Sequence, residues 1–154
     1  MRNLARVFLV LLLVAGLSLA ATAAPKAQKV TLTLTDFKFT PNKVTVTSGT
    51  PVEITLVNKG KVEHEFMVYP APKSKPGDWD EYLIPNTYFQ KMGEVEVEFE
   101  GQGAVAGSSI FEAEVKAGKR ATVHFTPNRK GTFEIGCHVE GHYEAGMKGT
   151  LTVK

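Results

Sequence analysis

The chain has a single cysteine and little net charge, and both features limit the functions that it can have. Cys137 is the single cysteine among 154 residues, so no internal disulfide bond can form. Apart from Arg2 and Arg6, the chain carries as many basic as acidic side chains. A neutral body lacks the positive surface that binds nucleic acid, which argues against that class of partner. The length and the hydrophobic content of 43% are typical of one globular domain.

The N-terminus has the pattern of a secretory signal. Arg2 and Arg6 precede the apolar run Val7–Leu19, and Ala21–Ala23 fits a small-x-small cleavage site. We expect residues 1–23 to be removed and residues 24–154 to form a single domain outside the cytoplasm, in the periplasm or on the outer side of a prokaryotic cell. The alternative is an uncleaved membrane anchor, although the run is shorter than the roughly 20 residues that a spanning helix needs.

Export makes the lone thiol informative, because exported cysteines usually pair in disulfide bonds. An unpaired thiol in an oxidising compartment is a liability unless it is protected. Cys137 is therefore predicted to be a buried inert thiol, half of an intermolecular disulfide, or a metal ligand.

Alternation of apolar and polar residues predicts an all-β fold. The alternating or apolar runs, rich in Val, Thr, Ile and Phe, are Val30–Thr35, Val44–Thr47, Val52–Val57, Glu65–Val68, Glu94–Phe99, Phe111–Val115, Ala121–Phe125, Thr132–Ile135 and Thr150–Val153. Short strands separated by turn signals indicate an antiparallel β-sandwich or barrel. Residues 70–93 interrupt the pattern and predict a helical and loop excursion with two helical turns, Asp78–Leu83 and Asn86–Met92. Gly101–Ser109 is predicted to be a flexible turn.

One segment carries the residues suited to chemistry. Cys137, His142 and Met147 are spaced C-x4-H-x4-M, and His64 begins an apolar strand far upstream. A trigonal set of two histidines and one cysteine with a weak axial methionine is typical of blue-copper electron-transfer sites. Each residue alone has an ordinary explanation, as core filler or as a loop histidine. Zinc is the main rival metal, but it does not usually bind thioether sulfur.

These residues make the chain similar to the cupredoxins, the plastocyanin and azurin superfamily of small blue-copper proteins. The resemblance extends from about Val30 to Lys154 and is strongest from Gly131 through Met147 to the C-terminus. It implies a Greek-key β-sandwich with one type 1 copper at one end. It also implies His64, Cys137 and His142 as ligands, Met147 as the axial sulfur, and the edge of His142 as the route for electrons.

Two residues depart from the usual cupredoxin pattern. Glu65 stands where an asparagine often ties the two ligand-bearing segments together, so it either accepts those hydrogen bonds or points to solvent. His138 directly follows Cys137, as in the last copper-binding segment of multicopper oxidases, whereas Gly136 replaces the histidine on the other side. We expect His138 to be a surface or supporting residue, or else a secondary copper-capture site. His124 alternates with apolar neighbours and is expected to face outward without a role.

The histidine inventory limits the chemistry further. The chain has four histidines and no His-x-His pair, whereas a trinuclear copper cluster needs about eight histidines. This inventory argues against oxidase or nitrite-reductase chemistry within one chain, and we expect the protein not to be an enzyme. The sequence predicts an exported type 1 copper protein, a monomer, that carries single electrons between redox proteins docking near His142. The alternative is a periplasmic copper-binding or copper-resistance protein that buffers or delivers the metal. A copper-free adhesion sandwich is a third possibility.

Overall fold

A computed structural model describes residues 25–90, 92–108 and 110–154. The expected signal segment lies outside these residues and stays a prediction. Within the described ranges, no helix is both long and apolar enough to cross a bilayer.

The described residues form two facing β-sheets, which confirms the all-β sandwich. The strands are β1 Gln28–Thr35, β2 Lys38–Thr40, β3 Lys43–Val46, β4 Val52–Asn58, β5 His64–Tyr69, β6 Val95–Phe99, β7 Gly103–Gly107, β8 Glu112–Val115, β9 Arg120–Phe125, β10 Gly131–Gly136 and β11 Lys148–Val153. The first sheet has the order β2-β1-β4-β9-β6-β7 and the second β3-β11-β10-β5-β8. Most neighbours pair antiparallel, as expected, but β1 with β4 and β3 with β11 pair parallel. Both sheets are therefore mixed.

The core lies between the sheets because alternate residues of each strand face inward. In β4, Val52, Ile54 and Leu56 are buried while the residues between them are half-buried. Burying one such side chain contributes about 1.5–3 kcal/mol. The resulting frame fixes the strand ends from which the loops project.

The described part of the excursion, residues 70–90 and 92–93, contains one helix, α1, rather than two. α1 spans Trp79–Asn86 and begins after Asp78, whose carboxylate accepts a hydrogen bond from the Glu81 N–H at 3.1 Å. The second predicted segment, Asn86–Met92, does not form a helix in its described part: residues 88–90 form a turn, in which the Gln90 N–H donates to the Thr87 carbonyl at 3.3 Å. Pro85 lies in the last turn of α1 and weakens it, because proline has no N–H to donate to the carbonyl four residues earlier, that of Glu81. The aromatic side chains of the excursion divide between the main core and a small cluster with Tyr69.

The prediction of a flexible turn at Gly101–Ser109 is also wrong in part. Gly103–Gly107 forms β7, an edge strand paired in register with β6. Its three central residues, Ala104 to Ala106, do not alternate with polar residues, so the period-two signal is missing. Pairing with β6, rather than burial, organises this strand, since its side chains are mostly exposed.

Candidate metal centre

Three adjacent strands of the second sheet bring the predicted residues to one end of the sandwich. His64 is the first residue of β5, Cys137 follows the last residue of β10, and Met147 precedes β11. Because β10 pairs with both β5 and β11, these strand ends are neighbours.

The loop between β10 and β11 is closed by its own backbone. The Cys137 N–H donates to the Met147 carbonyl at 3.2 Å, and the Met147 N–H donates to the His142 carbonyl at 3.0 Å. The His142 N–H donates to the Val139 carbonyl at 2.9 Å. The C-x4-H-x4-M spacing thus folds into a compact turn that holds its cysteine and histidine together.

Three donor atoms, two from this loop and one from the start of β5, converge here. Nδ1 of His142 lies 3.3 Å from Sγ of Cys137 and 3.2 Å from Nδ1 of His64, and Sγ lies 4.0 Å from Nδ1 of His64. A metal bonded at about 2.0 Å to nitrogen and about 2.3 Å to sulfur would separate three trigonal donors by roughly 3.5–3.7 Å. The donor atoms therefore fit a single metal ion, and a thiolate with two imidazoles suits copper.

The site is almost completely buried, and burial shifts the pKa values of Cys137 and His142. Cys137 and His64 are fully buried and His142 is 6% exposed. Burial raises the pKa of the Cys137 thiol, whereas hydrogen bonds from the Glu65 and Val139 backbones lower it. Burial, followed by the neighbouring His64, lowers the pKa of His142 and favours the neutral imidazole that binds metals.

Met147 is fully buried in the main core beside this group. Its backbone bonds to Cys137 and His142 place it at the closing end of the loop. Its role as the axial sulfur stays a prediction. The electron route through His142 likewise stays a prediction, although Gly141, Ala145 and Gly146 around it are exposed.

Glu65 links the two ligand-bearing segments and does not simply point to solvent. Its Oε2 accepts a hydrogen bond from the His138 N–H at 3.0 Å, and its own N–H donates to Sγ of Cys137 at 3.3 Å. Of the two alternatives for Glu65, the structure therefore shows the one in which its carboxylate accepts a hydrogen bond between the two segments. Burial raises the pKa of Glu65, with smaller contributions from nearby acidic groups, whereas the His138 N–H lowers it.

His138 packs in an aromatic layer. Its Nε2 lies 2.8 Å from the Tyr69 hydroxyl, and its ring stacks on Tyr143 and contacts Trp79, with centroids 4.9 and 4.2 Å away. Burial lowers its pKa to about 4. Within the described residues, neither group of potential metal donors includes His138. The supporting role therefore fits this geometry better than secondary copper capture does.

Gly136 explains the departure from the oxidase pattern on the other side of Cys137. A Cβ at this position would collide with the Tyr69 hydroxyl and come within 2.8 Å of His138 Nε2. The aromatic layer therefore occupies the space that a side chain at position 136 would need. His124 faces outward as expected, with its Nε2 3.6 Å from a carboxylate oxygen of Glu98.

Sequence reasoning missed two residues between β1 and β2. Asp36 Oδ1 lies 3.1 Å from Nε2 of His64, and the ring of Phe37 meets His142 edge-on with centroids 4.8 Å apart. Phe37 is 44% exposed. No motif marks this pair, and the sequence shows only that it follows directly after the alternating run Val30–Thr35.

Residues 7–77 of the chain match the protein-family model of the cupredoxin-like domain. A copper-resistant cuproprotein CopI from Vibrio cholerae is 32% identical over 139 residues, covering 86% of this chain and 70% of the relative. The chain belongs to the cupredoxin family. A protein of the same name from Rubrivivax gelatinosus is 29% identical over 133 residues, covering 85% of this cupredoxin and 70% of the relative.

Solved structures agree with the fold. Auracyanin A, a "blue" copper protein from the green thermophilic photosynthetic bacterium Chloroflexus aurantiacus, gives a TM-score of 0.57 at 18% identity, covering 84% of this cupredoxin and all of that chain. Auracyanin B gives 0.55 at 23% identity, covering 86% and 92%. A multicopper oxidase from Campylobacter jejuni gives 0.52 at 14% identity, but only 31% of that chain is covered. At these identities the likeness is one of fold.

Proposed function

We propose that this cupredoxin is an exported copper-binding protein that handles the metal, by buffering or delivering it. The observation that carries the proposal is the buried group of one sulfur and two Nδ1 atoms, all within 4.8 Å of one another. Similarity to proteins named copper-resistant cuproproteins supports a role in handling. The proposal includes one type 1 copper held by His64, Cys137 and His142, with Met147 as axial donor, and no transformation of a substrate.

The chain's own residues would keep copper in a fixed environment. When bound, copper would supply one-electron cycling between Cu(I) and Cu(II). Burial excludes water from the donors, and the Glu65 N–H steadies the sulfur. The backbone bonds of the loop hold Cys137 and His142 in place. Held in this way, the same three side chains would offer their donor atoms to copper in either oxidation state.

Electron transfer is the second candidate, and the surface beside His142 favours it. Phe37 is 44% exposed and lies against the His142 ring, which gives a partner an apolar contact next to a predicted ligand. In this version, a cytochrome, oxidase or reductase docks near His142 and exchanges single electrons with a monomer of this chain.

A copper-tolerance assay tests the handling role. In a strain lacking the protein, growth should become more sensitive to copper, and the wild-type gene but not Cys137→Ser should restore it. The purified copper form should also pass its metal readily to a chelator. Unchanged tolerance, together with slow metal release and fast electron self-exchange, would contradict handling and favour the carrier.

A further inference from the structure

His64 can bind a metal through Nδ1 only if that nitrogen is unprotonated. A neutral imidazole has one protonated and one unprotonated ring nitrogen, and the partner of one nitrogen fixes the state of the other. Nδ1 of His64 faces Nδ1 of His142 at 3.2 Å and Sγ of Cys137 at 4.0 Å. If Nδ1 of His64 is to bind the metal, the proton of the neutral ring must lie on Nε2, on the opposite edge.

Asp36 lies at that opposite edge. Its Oδ1 is 3.1 Å from Nε2 of His64, which is fully buried, whereas the aspartate side chain is 30% exposed. An ionised carboxylate only accepts hydrogen bonds, so this contact requires the proton on Nε2. The carboxylate itself is held, because the Lys61 N–H donates to both of its oxygens at 3.1 and 3.2 Å.

Hydrogen bonds of Asn58 hold the loop between β4 and β5, which carries Lys61. Asn58, which is 1% exposed, donates through Nδ2 to the carbonyls of Val62 and Val115 at 2.8 and 2.7 Å. Its Oδ1 accepts from the Gly60 N–H at 2.8 Å. These bonds fix the loop from both ends.

Gly60 leaves the space in which aspartate and histidine meet. A Cβ at this position would collide with Asp36 Oδ1 and come within 2.6 Å of His64 Nε2. An alanine here would thus separate the two groups without removing either of them.

We propose that Asp36 is the positioning residue of the metal centre: through Nε2 it fixes the tautomer and orientation of His64, and so presents Nδ1 to the metal. This inference rests on the proposed copper site, although its first test does not need copper. Hydrogen-bonding partners of ligating histidines are commonly carboxylates, and their loss typically costs about 10- to 100-fold in metal affinity.

The first test is the tautomer of His64 in the metal-free protein, read from proton–nitrogen NMR spectra at a pH where the ring is neutral. The wild type should show one Nε2–H form. Asp36→Ala should give a mixture of tautomers, and Asp36→Asn should keep the Nε2–H form because its amide oxygen still accepts. An unchanged single tautomer in Asp36→Ala would overturn the proposal.

The second test is affinity for Cu(II), measured by competition with a chelator. Asp36→Ala should lose about 10- to 100-fold and Asp36→Asn less. Glu53→Gln is the carboxylate control, because Glu53 forms an ion pair with Lys29 on β1, and should leave affinity unchanged. Equal affinity of Asp36→Ala and wild type would count against the positioning role.

Gly60→Ala decides the matter if Asp36→Ala does not fold. Its control is Gly77→Ala, where an added Cβ meets nothing within 4 Å. Gly60→Ala should mix the His64 tautomers and weaken Cu(II) binding, whereas Gly77→Ala should do neither. Identical behaviour of the two variants would overturn the proposal. If the tautomer depends on Asp36 but the wild type binds no copper, the proposed function fails while the positioning role stands.

Discussion

At the scale of single residues, the centre depends on groups that touch the donors from outside. Glu65 illustrates why such groups are hard to predict. The sequence left its direction open, because a residue next to a strand's first histidine can face either the loop or the solvent. The structure turns it toward the His138 N–H at 3.0 Å, across 73 positions of the chain. A contact of that separation depends on the pairing of β5 with β10, which no local pattern specifies.

Replacing Glu65 with glutamine tests the effect of its charge. Glu65→Gln retains an acceptor for the His138 N–H but removes a negative charge that favours Cu(II). The reduction potential of the bound copper should therefore rise. Because the hydrogen bond is kept, copper affinity should fall by less than the roughly 10- to 100-fold that is typical when such a partner is lost. Voltammetry measures the first and chelator competition the second.

Glu114→Gln is the matched control, since Glu114 faces Glu65 in the strand register but is exposed. Glu114→Gln should change the reduction potential less than Glu65→Gln does. Equal shifts in the two variants would show that the hydrogen-bonded position of Glu65 adds nothing to its charge.

Met147→Leu tests the axial sulfur. A leucine of similar volume keeps the core filled, with a stability cost below about 1.5 kcal/mol. It removes a weak donor to Cu(II), so the protein should still bind copper but with a higher reduction potential. A potential equal to that of the wild type, measured by voltammetry, would argue that Met147 is not a ligand.

At the scale of elements, the strands were largely predictable and the excursion was not. Alternation located β4 and β9 within a residue or two, because each buries one face between the sheets. β7 was not predicted because the side chains of Gly103–Gly107 are mostly exposed. Its backbone pairing with β6 therefore produces no alternation of apolar and polar residues in the sequence. The end of α1 was not predicted because Tyr88 and Phe89 pack in the main core, and this tertiary contact overrides the local preference for helix.

The end of β10 gives an element-scale prediction. Gly136→Ala should push the Tyr69 hydroxyl away from His138, since the added Cβ would occupy their contact. Overpacking of this kind costs about 1–3 kcal/mol of unfolding free energy. Urea denaturation of the metal-free protein measures it, with Gly77→Ala as the control. Equal free energies of unfolding in the two variants would mean that Tyr69 and His138 can move apart without destabilising the protein.

At the scale of the whole molecule, the small net charge of +2 gives no sign of a local concentration of acidic groups. Glu65, Glu112 and Glu114 have carboxylate oxygens within 4.8 Å of one another on β5 and β8. Burial and then the neighbouring carboxylates, including Glu63 and Asp80, raise the pKa of Glu112 to about 7. Composition gives the balance of charge but cannot locate such a group, because its members come together only when β5 pairs with β8.

The raised pKa of Glu112 predicts a pH dependence of stability. Between its ordinary value of 4.5 and about 7, the folded chain keeps a proton that the unfolded chain releases, so the free energy of unfolding falls as pH rises through this window. Glu112→Gln should remove this loss and stabilise the metal-free protein at pH 8 by up to about 1 kcal/mol, since solvent screens a half-exposed carboxylate.

Urea denaturation at pH 5 and pH 8 measures the effect of Glu112→Gln. The advantage of the variant should shrink at pH 5, where the wild-type carboxyl is protonated. Glu96→Gln, on the exposed face of β6, is the control. A variant whose stability follows that of the wild type at both pH values would show that Glu112 ionises normally.

The most direct measurement is the visible absorption spectrum of the copper-loaded protein. Convergence of Sγ of Cys137 with two imidazole nitrogens predicts an intense thiolate-to-copper charge-transfer band. Cys137→Ser should abolish this band, whereas His124→Gln, on the outer face of β9, should retain it. A copper-saturated wild type without the band, or a band that survives in Cys137→Ser, would contradict a copper site built on this cysteine.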